Sequence, residues 1–100
     1  MPIYILLSTL SGEGVESLKK NPSRVQQVNA EVESMGARII DQWAVLGAFD
    51  FVTVIEAADE LTVARIAVEI GARGSTKIQS MPAIPVAEFL DALGPRDVYE

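Results

Sequence analysis

The segment Pro2–Leu10 reads PIYILLSTL, a strand rich in Ile, Leu and Tyr whose two faces are both apolar. Such a strand has to be covered twice, once on each side of the sheet it joins. A chain of 100 residues has room for one domain and one core. It buries only about 60–65% of the surface its unfolded chain exposes. Yet 49% of its residues are apolar, so apolar surface is left over after one core is built. That surplus points to cover from outside, by a second copy of the chain or by a ligand.

Period and punctuation place the remaining elements. Ser11-Gly12-Glu13-Gly14 breaks the first strand, and a short helix of about two turns is expected from Val15 to Lys20. After Asn21-Pro22-Ser23, Val25, Val28, Val32 and Met35 form one stripe of an amphipathic helix that stops at Gly36. Ser23 and Gln26 fit a capping box at its start. Residues 37–46 (ARIIDQWAVL) read as a strand with Ile39, Asp41, Trp43 and Val45 on one face and Ile40, Ala44 and Leu46 on the other. Gly47-Ala48-Phe49-Asp50 links it tightly to a strand at 51–57, as in an antiparallel hairpin.

Asp59 caps a helix whose Val63, Ile66, Ala67 and Ile70 share a stripe, ended by Gly71 and Gly74. A fourth strand over 75–81 is closed by Pro82 and Pro85, and a last helix covers 86–93. The order βαββαβ plus a terminal helix defines an α+β ferredoxin-like sandwich: a four-stranded antiparallel sheet with helices on one face. One domain spans residues 1–95, with a frayed tail at 96–100.

Charge and missing residue types narrow the chemistry. With 14 Asp+Glu against 8 Lys+Arg the chain carries a net charge of −6 and no basic cluster, which argues against nucleic-acid binding. No apolar run approaches the roughly 20 residues that cross a membrane, and Met1-Pro2-Ile3-Tyr4 lacks the basic region of a secretory leader. A cytoplasmic location is expected. Without Cys or His there is no thiolate chemistry, no imidazole base and no ordinary zinc or haem site, so neither metal nor cofactor is expected.

Two glycine patterns are set aside. Gly12-Glu13-Gly14-Val15-Glu16-Ser17 looks like the start of a dinucleotide fingerprint, but Ser replaces the third glycine and two glutamates would repel a pyrophosphate. Gly71-Ala72-Arg73-Gly74-Ser75-Thr76-Lys77 leaves a helix rather than entering one, and a helix C-terminus repels anions. They read as a loop and a helix-ending turn.

Carboxylates remain the strong acid–base candidates. Asp50 and Glu56 stand roughly 20 Å apart along one strand, too far to act on one bond. Asp41 reads either as an edge-strand charge that discourages aggregation or as a pocket acid. Asp50 reads either as a catalytic base or as an acceptor of backbone hydrogen bonds in its turn. Tyr4, Trp43 and Phe49 are candidate ligand contacts, with core packing the alternative for the first two.

The run Val45-Leu46-Gly47-Ala48-Phe49-Asp50-Phe51-Val52 resembles the GYD-domain family of small bacterial and archaeal proteins, which carry Gly-x-Tyr-Asp in this hairpin. The opening PIYILLSTL, Glu56-Ala57-Ala58-Asp59 and Gly71-Ala72-Arg73-Gly74 extend the likeness from Pro2 to about Leu90. Position 49 departs from the pattern, because Phe lacks the hydroxyl of the family's Tyr. The resemblance implies a ferredoxin-like fold of the dimeric α/β-barrel kind, hence a homodimer, and carries over no catalytic residue.

Three functions stay open. One is a module that binds a small apolar or aromatic molecule between sheet and helices. Another is a cofactor-free oxygenase or isomerase, by analogy of fold, with Asp41 or Asp50 as base and Trp43 and Tyr4 shaping the pocket. The third is a purely structural dimeric module.

Overall fold

The computed structural model describes residues 1–95. Its elements run β1 (Ile3–Leu10), α1 (Gly12–Lys20), α2 (Arg24–Ser34), β2 (Arg38–Ala44), β3 (Phe51–Glu56), α3 (Glu60–Gly71), β4 (Thr76–Ala83) and α4 (Val86–Ala92). The four strands form one antiparallel sheet in the order β2-β3-β1-β4. Two-sided β1 takes a central place, paired with β3 along one edge and with β4 along the other. This is the ferredoxin-like arrangement expected from the element order. The fraying expected at 96–100 lies outside the described residues.

Register sorts the side chains into two faces, because paired residues share a side. One face carries Tyr4, Leu6, Ser8, Thr53, Ile55 and Ile78 and lies under the helices. There Tyr4, Leu6 and Ile55 meet Val32 of α2 and Val63, Ile66 and Ile70 of α3 in a single core. The helical spacing of those α3 residues makes this possible. Asp59 starts α3 as expected, its Oδ1 accepting from the Thr62 backbone N–H (2.9 Å) and hydroxyl (2.8 Å). The Thr62 backbone and then its hydroxyl hold the Asp59 carboxyl below the usual range. Arg73, just past α3, forms a two-pronged ion pair with Glu31 of α2.

Several boundaries differ from the expectation. α1 begins at Gly12 rather than Val15, because Ser11 caps it by accepting the Gly14 N–H (3.1 Å). The Gly12–Gly14 stretch is therefore a first helical turn and not a loop. Gly14 is forced by close approach: a Cβ there would lie 2.2 Å from the Ser75 carbonyl oxygen. The Ser75 carbonyl also accepts from the Ser11 N–H (3.0 Å) and so crowds the turn with an acceptor. The capping box at Ser23 does not form; that residue is already helical (φ −66°, ψ −7°) and its hydroxyl donates to Asn21 Oδ1 (2.6 Å).

β2 ends at Ala44, and its register shifts between Ile39 and Asp41. This bulge overturns the expected alternation. Ile39 faces the helices opposite Ile55, whereas Asp41 and Trp43 lie on the other face opposite Val54 and Val52. β4 runs through Pro82 to Ala83 rather than stopping at Met81, which an edge strand permits because the missing N–H can face outward.

Gly14→Ala is expected to destabilise the fold by about 1–3 kcal/mol through overpacking against Ser75. Gly12→Ala, with open space around its Cβ, should be neutral or stabilising. Urea unfolding midpoints of the two variants check this; equal midpoints would contradict it.

Candidate functional site

The helix-covered face does not close completely. Between α1, α2 and the half of the sheet away from Tyr4 lies a cavity of about 90 Å³. Its walls are Leu18 of α1, Val25, Val28 and Val32 of α2, and Ile70 of α3. Its floor is the sheet, where Leu6, Leu10 and Ile78 surround the hydroxyls of Ser8 and Thr53. The apolar walls come from the two helical stripes, and the floor from the inward positions of β1, β3 and β4.

One polar network crosses the cavity. Asn29 Nδ2 donates to Gln42 Oε1 (2.7 Å), and Gln42 Nε2 donates back to Asn29 Oδ1 (3.1 Å) and to Thr53 Oγ1 (3.0 Å). The bulge in β2 creates this arrangement by turning Gln42 inward opposite Thr53. Ser8 and Thr53 are buried, 8% and 5% exposed, and none of the residues lining the cavity is ionisable. The site can hold and orient a molecule through apolar contact and neutral hydrogen bonds.

The side chains singled out in the sequence are not brought together. Tyr4, 4% exposed, sits in the core at the other end of the sheet from the cavity. Burial, then the charges of Glu60 and Asp59 at the start of α3, push its phenol upward, so it stays neutral. Trp43 lies on the opposite sheet face, 51% exposed, beside Asp41. Phe49 is half-buried in the β2–β3 loop.

Asp50 is a backbone clamp. Its Oδ2 accepts from the Leu10 N–H (2.8 Å), its own N–H donates to the Ser8 carbonyl (2.8 Å), and its carbonyl accepts from the Val45 N–H (2.9 Å). Gly47 supplies the φ of +137° that lets the loop turn back onto β1. Sequence reasoning missed Ser8, Asn29, Gln42 and Thr53, since an amide on a helix and another on a strand look solvated until the bulge is known.

The open face of the sheet is the second feature. Ile3, Ile5 and Leu7 of β1 and Val52 and Val54 of β3 form its apolar centre, in register with one another. The edge strands add Trp43, Met81 and Ala83, and also the charged Arg38, Asp41 and Lys77. No element of the described residues covers this face. Ile84, Val86, Phe89 and Leu93, on and around α4, are exposed as well. No helix among the described residues is long and apolar enough to cross a membrane.

Fold and site thus define a ferredoxin-like α+β domain with an apolar cavity on one side of its sheet and an uncovered apolar surface on the other. The GYD domain profile matches residues 4–93, and the chain belongs to the GYD domain family. A protein from Thermus thermophilus named "Glutamine synthetase and cystathionine beta-lyase binding protein" is 49% identical over 94 residues, which is 93% of this chain and 99% of that protein. A dimeric ferredoxin-like protein from an uncultured marine organism aligns in structure with a TM-score of 0.40 and 14% identity, over 86% of this chain and 95% of that one.

The clamp predicts how the signature loop responds to substitution. Asp50→Ala leaves the Leu10 N–H without its acceptor and should cost about 1–3 kcal/mol, while Asp50→Asn keeps an acceptor oxygen and should cost less. Phe49→Tyr, which restores the family residue at a half-exposed position, should stay within about 0.5 kcal/mol of the parent. Thermal and urea unfolding of the three variants check the order; a fully stable Asp50→Ala protein would contradict the clamp.

Proposed function

We propose that the chain is a non-catalytic binding protein that works as a homodimer and holds a small apolar or aromatic molecule between its sheet and helices. The observation that carries this reading is the make-up of the cavity: apolar walls, a neutral amide pair, two buried hydroxyls and no ionisable side chain. Binding needs shape and a few oriented polar groups, and the cavity supplies both. The alternative of a cofactor-free oxygenase or isomerase draws its base from Asp50 or Asp41. Asp50 is engaged in holding the Leu10 backbone and Asp41 lies across the sheet, so neither carboxylate lines the cavity.

Pairing through the open sheet face accounts for the surplus of apolar residues. The middle of its central strands is apolar, while its edge strands and Glu56 at the end of β3 carry charge, the layout of an interface with a dry centre and a wet rim. Two sheets packed face to face would bury Ile5, Leu7, Val52 and Val54. A stable dimer is therefore expected at micromolar concentration in sedimentation velocity. Ile5→Lys combined with Val54→Lys should convert it to a monomer with unchanged helix content by circular dichroism. A double variant that sediments as the parent dimer would remove the open face from the interface.

A second reading follows from the relative named for binding glutamine synthetase and cystathionine beta-lyase, whose likeness to this chain runs over nearly its whole length. It makes this chain a partner of metabolic enzymes of that kind, in the cytoplasm where such enzymes work. The net charge of −6 speaks against a nucleic-acid partner. Immobilised full-length protein should retain purified glutamine synthetase from the same organism with a Kd in the micromolar range or tighter. Absence of retention for both enzyme types would count against this reading.

A further inference from the structure

We infer that the cavity selects an uncharged organic molecule with an apolar body and one hydrogen-bonding head, such as a hydroxyl or carbonyl, and that the hydroxyls of Ser8 and Thr53 receive the head. This rests on the small-molecule reading above and adds to it the chemical class of the ligand and the residues that choose it.

The absence of ionisable side chains from the cavity lining excludes a charged occupant: a carboxylate or ammonium left unpaired in an apolar space pays far more than its contacts return. The neutral polar groups are the amides of Asn29 and Gln42, the buried hydroxyls of Ser8 and Thr53, and the less buried hydroxyl of Thr76. The amides of Asn29 and Gln42 are turned toward each other, and both N–H groups of the Gln42 amide are already used, on Asn29 and Thr53. They form a closed pair with a structural task, tying α2 to β2 across the cavity.

Ser8 stands outside that pair, and Thr53 Oγ1 receives a hydrogen bond from Gln42 while keeping its own proton to donate. The acceptance from Gln42 limits the directions in which that proton can point. Ser8 pairs with Phe51, and Thr53 is two residues further along β3 on the same face. The two hydroxyls are thus diagonal neighbours, roughly 5–8 Å apart at Cβ, a spacing that one small polar group can bridge. Leu18, Val25, Val28 and Ile70 line the rest of the cavity with apolar side chains. The cavity volume of about 90 Å³ is smaller than the about 150 Å³ of an engineered cavity that binds benzene, so a short branched chain fits within it and a single ring fills it and projects through the side that the helices leave open.

Calorimetric titration of the full-length protein with phenol, benzyl alcohol, toluene and benzoate at pH 7 tests this. Phenol or benzyl alcohol should bind at least tenfold more tightly than toluene, and benzoate should bind more weakly than any of them. Thr53→Val and Ser8→Ala should each bring the hydroxylated probes to the affinity of toluene while leaving toluene unchanged. Thr53→Ser, which keeps the hydroxyl, should retain the preference and guards against a mere folding defect. Shifts of the Asn29 and Gln42 side-chain amide resonances on adding phenol should mark the cavity as the place. Equal affinities for phenol and toluene, with no effect of either hydroxyl variant, would overturn the head assignment and leave a purely apolar small-molecule site. Tight binding of benzoate would overturn the exclusion of charge. No binding by any probe would overturn the small-molecule reading itself together with this one.

Discussion

The sheet, the core and the first helix meet at β1. Its backbone is hydrogen-bonded along both edges, to β3 and to β4, and its side chains are apolar on both faces. The inward set, Tyr4 and Leu6, belongs to the core under α2 and α3. The outward set, Ile3, Ile5 and Leu7, has no cover within the described chain. The far end of β1 is held by Asp50, which accepts from the Leu10 N–H beyond the end of the β1–β3 ladder. Ser11, the next residue, then caps α1. A single strand therefore sets the core, the signature loop, the first helix and the uncovered face.

The cavity is a consequence of how the helices meet that strand. α3 lays three buried residues, Val63, Ile66 and Ile70, into the sheet, whereas α2 contributes one, Val32. Where α2 stands off, the Asn29–Gln42–Thr53 network holds the gap at a fixed width. A neutral network of this kind costs nothing in buried charge, and its satisfied hydrogen bonds keep the space from collapsing into a tighter core. The two faces of the sheet thus differ: a partly open neutral cavity lies on the helix side and a broad apolar surface on the other.

Much of this was legible in the residues. The two-sided character of β1, the stripe Val63-Ile66-Ile70, the cap at Asp59 and the tight link at Gly47–Asp50 are local patterns, and local patterns survive into the fold. Asp50 does accept a backbone hydrogen bond, but from Leu10 of β1 rather than within its own turn. The candidate site was much less legible. A bulge beside Ile40 moves Ile39 and Gln42 onto one face, and nothing in ARIIDQWAVL marks it. Gly14 is small because Ser75, far along the chain, passes over it. Tyr4 and Trp43 are good pocket residues by type, yet the pleat sends them to opposite faces. Contacts made across the sheet decide these points, and a single chain read end to end does not display them.

In the proposed function one sheet serves two binding tasks, holding a second copy on its open face and a small neutral molecule beneath its helices. Native mass spectrometry of gently purified protein reads both at once. The expected species is a dimer that carries the added mass of an uncharged organic molecule, lost on mild activation before the subunits part. A monomer without added mass would contradict it on both counts.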